Sequence, residues 1–324
     1  MKPGNSGSIR SKIGTSAAML TPFTVTSGVD WDRLAAHASR LLDSGLKVVT
    51  AFGTTGEGVS IDREVRFELY DRLGKAGILP GQLVECVYGP SSAEAGAHAR
   101  RSLGAGCAGL LLTPPFYFKG VGDEGVFRWF AEVFEAVGAD CRDVILYNIP
   151  ALTGVSIGAG LVGRLRRAFP EAIAGVKDSA GDWSHTQSLL AEHRDLAILV
   201  GHEGHLAQAV GQGASGAISG IANVAPRLVQ RLVSGTHDPL IDDALTVVLS
   251  MPVVPALRAI LAAQTGDRDW LRPRAPLVEI TGPQELARCE ALGKTIASPS
   301  AISALGGLRK TRGSAGTSLP SSLA

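Results

Sequence analysis

Two stretches decide how this chain folds: DVILYNIP at Asp143–Pro150 and IAGVKDS at Ile173–Ser179. Each carries an unbroken apolar run that gives way to polar residues, Tyr147-Asn148 in the first and Lys177-Asp178-Ser179 in the second. A strand with one solvated face alternates, so a continuous run predicts a strand buried on both faces, as in a parallel sheet. Similar runs lie on either side, at Ser16–Leu20, Lys47–Phe52, Gln82–Val87, Gly109–Thr113, Leu196–Gly201 and Gly216–Ser219. Segments with helical spacing separate them. Asp30–Ser44 carries Leu34, Ala38, Leu41 and Leu42 on one stripe; Arg63–Leu73 carries Val65, Phe67, Leu69 and Leu73; Asp123–Val137 carries Val126, Phe127, Phe130, Val133, Phe134 and Val137. Such stripes are packing faces. Eight strand–helix units predict a closed (β/α)8 TIM barrel, an α/β fold, over residues 15–240. A doubly wound open sheet is the alternative, but no dinucleotide fingerprint follows the first strand.

The flanks read differently. Residues 241–295 keep a Leu/Val/Ala pattern interrupted by Pro252 and Pro255, which predicts two or three helices packed on the barrel. Residues 1–14 are expected to be a flexible N-terminal segment, and residues 296–324, rich in Ser, Gly and Ala, a disordered tail. With 31 Lys+Arg against 30 Asp+Glu, the net charge of +1 gives no long-range attraction to nucleic acid or to an anionic membrane, and neither is an expected partner. No apolar run is long enough to span a bilayer. The start of the chain has no apolar core of a secretory signal, and the four scattered cysteines form no CxxC pair, so a cytoplasmic protein with reduced thiols is expected.

In a barrel the segments past each strand share one face, where chemistry sits. The unusual residues collect there. Lys177 ends its apolar run; burial disfavours an ammonium ion, and a neutral amine attacks a carbonyl carbon to form a Schiff base. Alone, a lysine at a strand end reads better as one that snorkels to solvent; its company reverses that preference. Tyr147 ends the preceding strand, and its phenol is placed to relay protons, the alternative being a packed ring. Thr54 and Thr55 occupy the turn GTTGEG (Gly53–Gly58), whose backbone N–H groups and hydroxyls suit a carboxylate; an ordinary glycine-rich loop is the plain alternative. Glu57 reads either as a brace for that loop or as a surface charge. Tyr117 follows two prolines and reads equally as a residue delivered to a fixed point or as cover for apolar surface. The run GQGASG (Gly211–Gly216) matches GxGxxG, but it follows a helix and precedes a strand, the reverse of a dinucleotide site. His202, Glu203 and His205 lack HExxH spacing and a further ligand, so no metal is expected, and His202 and Glu203, which follow the seventh strand, read as substrate-facing.

Together GTTGE, YNIP, GVKDS and GAIS, in this order, resemble the dihydrodipicolinate synthase / N-acetylneuraminate lyase family of class I, pyruvate-type lyases. The resemblance spans Ser16 to about Leu292. It implies a barrel with C-terminal helices, a homo-oligomer (commonly a tetramer of tight dimers), no cofactor and a small 2-oxo acid as substrate. By motif, it makes Lys177 the Schiff-base lysine, Tyr147 the general acid/base, Thr54 a relay hydroxyl and Thr55 a carboxylate ligand. Tyr117 matches the relay tyrosine that enters a neighbouring subunit's site, and Ile218 the residue whose carbonyl contacts the oxo acid. Synthases of the family carry an arginine two residues past the YNxP proline, where this chain has Leu152. Leucine cannot pair with a second carboxylate. PALTG therefore points away from 4-hydroxy-tetrahydrodipicolinate synthase toward the lyase and sugar-acid aldolase branches; Gly201-His202-Glu203 does not match the neuraminate-lyase pattern, which leaves aldolases of 2-oxo-3-deoxy sugar acids, with Leu152, His202 and Glu203 facing the rest of the substrate. A dehydratase or deaminase using the same Schiff base, and a non-catalytic carboxylate sensor, are the rival readings.

Overall fold

Every one of the eight apolar runs forms a strand, and the strands pair in parallel, in sequence order, into a closed barrel. The computed structural model describes Ile9 and residues 13–298. The strands are β1 (Thr15–Ala18), β2 (Val48–Ala51), β3 (Leu83–Val87), β4 (Gly109–Leu112), β5 (Val144–Asn148), β6 (Ile173–Asp178), β7 (Ala197–Val200) and β8 (Gly216–Ser219). Ser16 closes the ring, pairing with Val48 on one side and Ile218 on the other.

The continuous apolar runs are explained by two cores. Val48, Val84, Cys86, Leu111, Ile145, Leu199 and Ile218 fill the barrel interior. The alternate residues, such as Val49, Leu83, Leu110, Leu146 and Val176, pack outward against the helices. Each fully buried aliphatic side chain contributes about 1.5–3 kcal/mol. The helical stripes form as expected at Trp31–Asp43 and Asp123–Val137, while the third is split into Arg63–Arg66 and Leu69–Lys75.

Ile9 and Ile13 close the bottom of the barrel. Both are buried in the interior cluster, and the Ile9 N–H donates to Asp143 Oδ1 at 2.9 Å. The expectation of a flexible segment over 1–14 thus does not hold for these two residues, whose apolar side chains plug the strand starts. The tail expected over 296–324 starts too early: Ile296 and Ala297 still belong to the last helix, with Ile296 buried, and from residue 299 on the expected tail lies outside the described residues.

Beyond the barrel, the described residues form three α-helices, Leu240–Leu249, Val253–Thr265 and Pro283–Ala297, the last running past Leu292. Pro252 precedes the middle helix and Pro255 lies in its first turn, where the unpaired N–H groups of a helix start tolerate proline. This helix reaches the C-terminal ends of the strands: Arg258 donates to the Thr21 carbonyl beyond β1 and pairs with Glu57 beyond β2. No helix among the described residues is long and apolar enough to cross a membrane.

Candidate active site

The pairing of β5 with β6 sets the site. A register shift between Val144 and Ile145 brings Gly175 opposite Ile145, and from there Tyr147 faces Lys177 and Asn148 faces Asp178. Gly175 is required at this closure, because a Cβ there would lie 2.4 Å from the Ala197 carbonyl oxygen. Tyr147 and Lys177 point into the barrel mouth, yet both are buried, at 2% and 4% exposure. Lys177 Nζ sits 4.3 Å from the centroid of the Tyr147 ring. Among the described residues no carboxylate forms an ion pair with it. The Tyr147 hydroxyl lies 3.3 Å from Thr54 Oγ1, so the phenol meets the amine with its ring and the threonine with its hydroxyl.

Thr54 is held by a turn with unusual backbone. Phe52 and Glu57 both take positive φ, bracketing Gly53–Gly56. Gly58 is there for space, since a Cβ would fall 1.8 Å from the Tyr88 hydroxyl and 1.9 Å from the Phe52 carbonyl oxygen. Of the two readings of Glu57, the structure supports the brace: it is buried at 3% exposure. It accepts from the fully buried Arg258 and from the Arg274 N–H, tying the turn to the C-terminal helices. Burial pushes the Glu57 carboxyl up against the attraction of Arg258.

A second cluster braces the other side. Asp178 accepts from Asn148 Nδ2 (2.8 Å), Thr186 Oγ1 (2.7 Å) and His185 Nδ1 (3.1 Å). Burial alone would raise the Asp178 carboxyl, but the hydrogen bonds from His185, Thr186 and Asn148 outweigh it and hold it below its usual range. Sequence reading missed Asn148, Asp178 and Arg258. The signals were present: YN and KD place a polar residue directly after each reactive candidate, and Arg258 interrupts the apolar helix VVPALRAILAA.

A cavity of about 660 Å³ opens above Lys177. Thr54, Thr55, Tyr147, Leu152, Lys177, His202, Glu203 and Ile218 all line it, so eight of the nine sequence-derived candidates converge. Tyr117 does not. It is 75% exposed and packs edge-on against the equally exposed Phe118. Glu203 accepts from the Ser219 hydroxyl and the Ile221 N–H, while the His202 ring stacks on His205 at 4.7 Å, with Trp183 beyond. Among the described residues no group of three His, Cys, Asp or Glu side chains is arranged to hold a metal.

A TIM barrel with a buried lysine and tyrosine side by side on adjoining strand ends, under a single cavity, is the framework of a class I lyase. Residues 12–255 match the model of the dihydrodipicolinate synthetase family. The chain belongs to that family, and it is a lyase of the class I aldolase type. It is 33% identical over 229 residues to an uncharacterised DapA-like lyase of Chloroflexus aurantiacus, covering 69% of this chain and 75% of that one. It is 31% identical over 226 residues to a 4-hydroxy-tetrahydrodipicolinate synthase of Pelodictyon phaeoclathratiforme, covering 69% and 74%. Among solved structures it resembles a dihydrodipicolinate synthase from Agrobacterium tumefaciens, with TM-score 0.85 and 44% identity, over 89% of this chain and 100% of that one.

Proposed function

We propose that the protein makes or breaks a C–C bond beside a 2-oxo acid through a Schiff base on Lys177, the substrate being a 4-hydroxy-2-oxo acid. The observation that carries this reading is the buried, unpaired Lys177 amine at the cavity floor, beside a tyrosine hydroxyl that contacts Thr54. The Lys177 amine attacks the C2 carbonyl, and Tyr147 delivers the proton that lets the carbinolamine lose water. The iminium then draws electrons from the C3–C4 bond, and Tyr147 takes the proton of the 4-hydroxyl as that bond breaks. An aldehyde leaves, the enamine takes a proton from Tyr147 at C3, and one water hydrolyses the resulting iminium to pyruvate and the free Lys177 amine. Thr55 and the Thr54 turn hold the carboxylate. Tyr117, exposed in one chain, serves the relay of a neighbouring copy in a homo-oligomer.

A synthase that condenses pyruvate with aspartate semialdehyde is the second reading, favoured by the 44% identity to the Agrobacterium protein. The lining opposes it. Leu152 stands where the family resemblance calls for arginine, and Lys177 is the one Lys or Arg among the residues that line the cavity. A second carboxylate has no cationic partner there, a loss of about 2–5 kcal/mol. Product analysis separates the readings: pyruvate plus an aldehyde from a 4-hydroxy-2-oxo acid supports the aldolase. An oxo acid that keeps all its carbons supports a dehydratase, and fast condensation with aspartate semialdehyde restores the synthase.

A further inference from the structure

We propose that the outer half of the cavity is an acceptor subsite for an apolar aldehyde, aliphatic or aromatic. This departs from the polyhydroxylated tail of a sugar acid, and it rests on the Schiff-base reading, which supplies the nucleophile. The polar groups are concentrated at the floor, in Lys177, Tyr147, Thr54 and Thr55. The outer wall is aliphatic: Leu152, Leu245, Leu249, Val253 and Leu277 all face the cavity. Four large hydrophobic residues left at the surface meet at its rim, Val59 (69% exposed), Leu152 (60%), Leu249 (54%) and Val253 (41%). Single exposed aliphatics are ordinary; four converging on one cavity mark a binding surface. The cavity volume is that of a site for a ligand much larger than a three-carbon acid.

Apart from Ser60, Ser179 and His202, the remaining polar side chains of the lining are committed to hydrogen bonds within the protein. The hydroxyls of Tyr88, Thr113 and Thr153 donate to the carbonyls of Phe52, Val87 and Ile149. Glu203 already holds Ser219 and Ile221. His202, whose buried Nδ1 has no hydrogen-bond partner, suits the single hydroxyl that the reaction creates, but a chain of hydroxyls along the aliphatic wall would lose water without compensation. In the synthetic direction, C3 of the enamine attacks the aldehyde carbon and a C3–C4 bond forms. The aldehyde π bond breaks, and its oxygen takes the Tyr147 proton. One water then hydrolyses the iminium, freeing Lys177 and a 4-hydroxy-2-oxo acid with an apolar substituent on C4.

The test uses the full-length protein with pyruvate. Deuterium exchange into the pyruvate methyl group, followed by NMR with no aldehyde present, reports the enamine alone. Condensation is then measured with propanal to hexanal, benzaldehyde and glyceraldehyde. We expect exchange, a rise in kcat/KM of about fourfold per added methylene, and glyceraldehyde below propanal. Exchange with no chain-length dependence, or with glyceraldehyde preferred, overturns the apolar subsite while leaving the Schiff base standing. Absence of exchange removes both. Leu249→Asn should lower the hexanal-to-glyceraldehyde ratio about tenfold. An unchanged ratio with an altered solution mass assigns the rim to contacts between copies and overturns the proposal.

Discussion

Asn148 Nδ2 donates to Asp178 Oδ1 at 2.8 Å, one residue past Tyr147 and Lys177 on the same two strands. The Asn148 side chain also accepts the Ile157 N–H at 2.9 Å, so both strand ends are fastened to the loop that follows β5. The reactive pair is therefore braced by its neighbours in addition to the contacts of Tyr147 with Lys177 and Thr54. Removing the acceptor with Asp178→Ala leaves the buried Asn148 amide without its partner. The variant should lose about 1–3 kcal/mol of stability in thermal unfolding. Its kcat should fall more than its KM for the oxo acid rises, and equal activity in both proteins would contradict the positioning role.

The same cluster gives a pH signature. The hydrogen bond to Asp178 raises His185 above its ordinary 6.5; burial opposes this and the Asp178 charge adds to it. A group raised on folding stabilises fully below its unfolded value and loses that contribution as pH rises through the folded value. Asp178 is held below 3.8, so its share fades only in strong acid. The Tm difference between the parent and His185→Gln should be largest between about pH 5 and 6.5 and shrink at higher pH. A gap that stays constant with pH would show that His185 acts by packing alone.

Tyr147 carries the proton-transfer assignment. Tyr147→Phe keeps the ring against Lys177 and removes only the hydroxyl that meets Thr54. Turnover should fall about 10²–10⁴-fold, the usual range for a general acid/base, with little change in KM. Steady-state kinetics at saturating substrate gives the answer, and unchanged kcat would remove Tyr147 from the relay.

Glu57 and Arg258 link the turn beyond β2 to the C-terminal helices. Breaking a buried pair from one side strands the other charge. Arg258→Met should cost about 3–5 kcal/mol, and the double variant Glu57→Met, Arg258→Met should recover part of it. Denaturant unfolding of the three proteins tests this. A double variant no more stable than the single one would mean that Arg258 acts mainly through the Thr21 and Trp270 carbonyls.

The barrel was legible because strands buried on both faces write themselves as continuous apolar runs, and the candidates because lysine, tyrosine and threonine are out of place at the ends of such runs. What escaped was long-range. Glu57 and Arg258 are 201 residues apart, and no local period reports such a partner. Ile9 resembles any residue of a polar leader until the interior cluster that receives it is known. The split at Phe67–Glu68 breaks a stripe whose apolar spacing is unbroken. Tyr117 illustrates the reverse case: a motif names the residue, but a single chain holds it outside the cavity.

The most direct test of the account is covalent trapping. The protein is incubated with pyruvate and sodium borohydride, digested, and its peptides weighed, with Lys177→Ala treated in parallel. The account predicts one reduced pyruvyl adduct on the peptide that contains Lys177 and none in the variant. An unmodified Lys177 peptide, or an adduct on a different lysine, would contradict it.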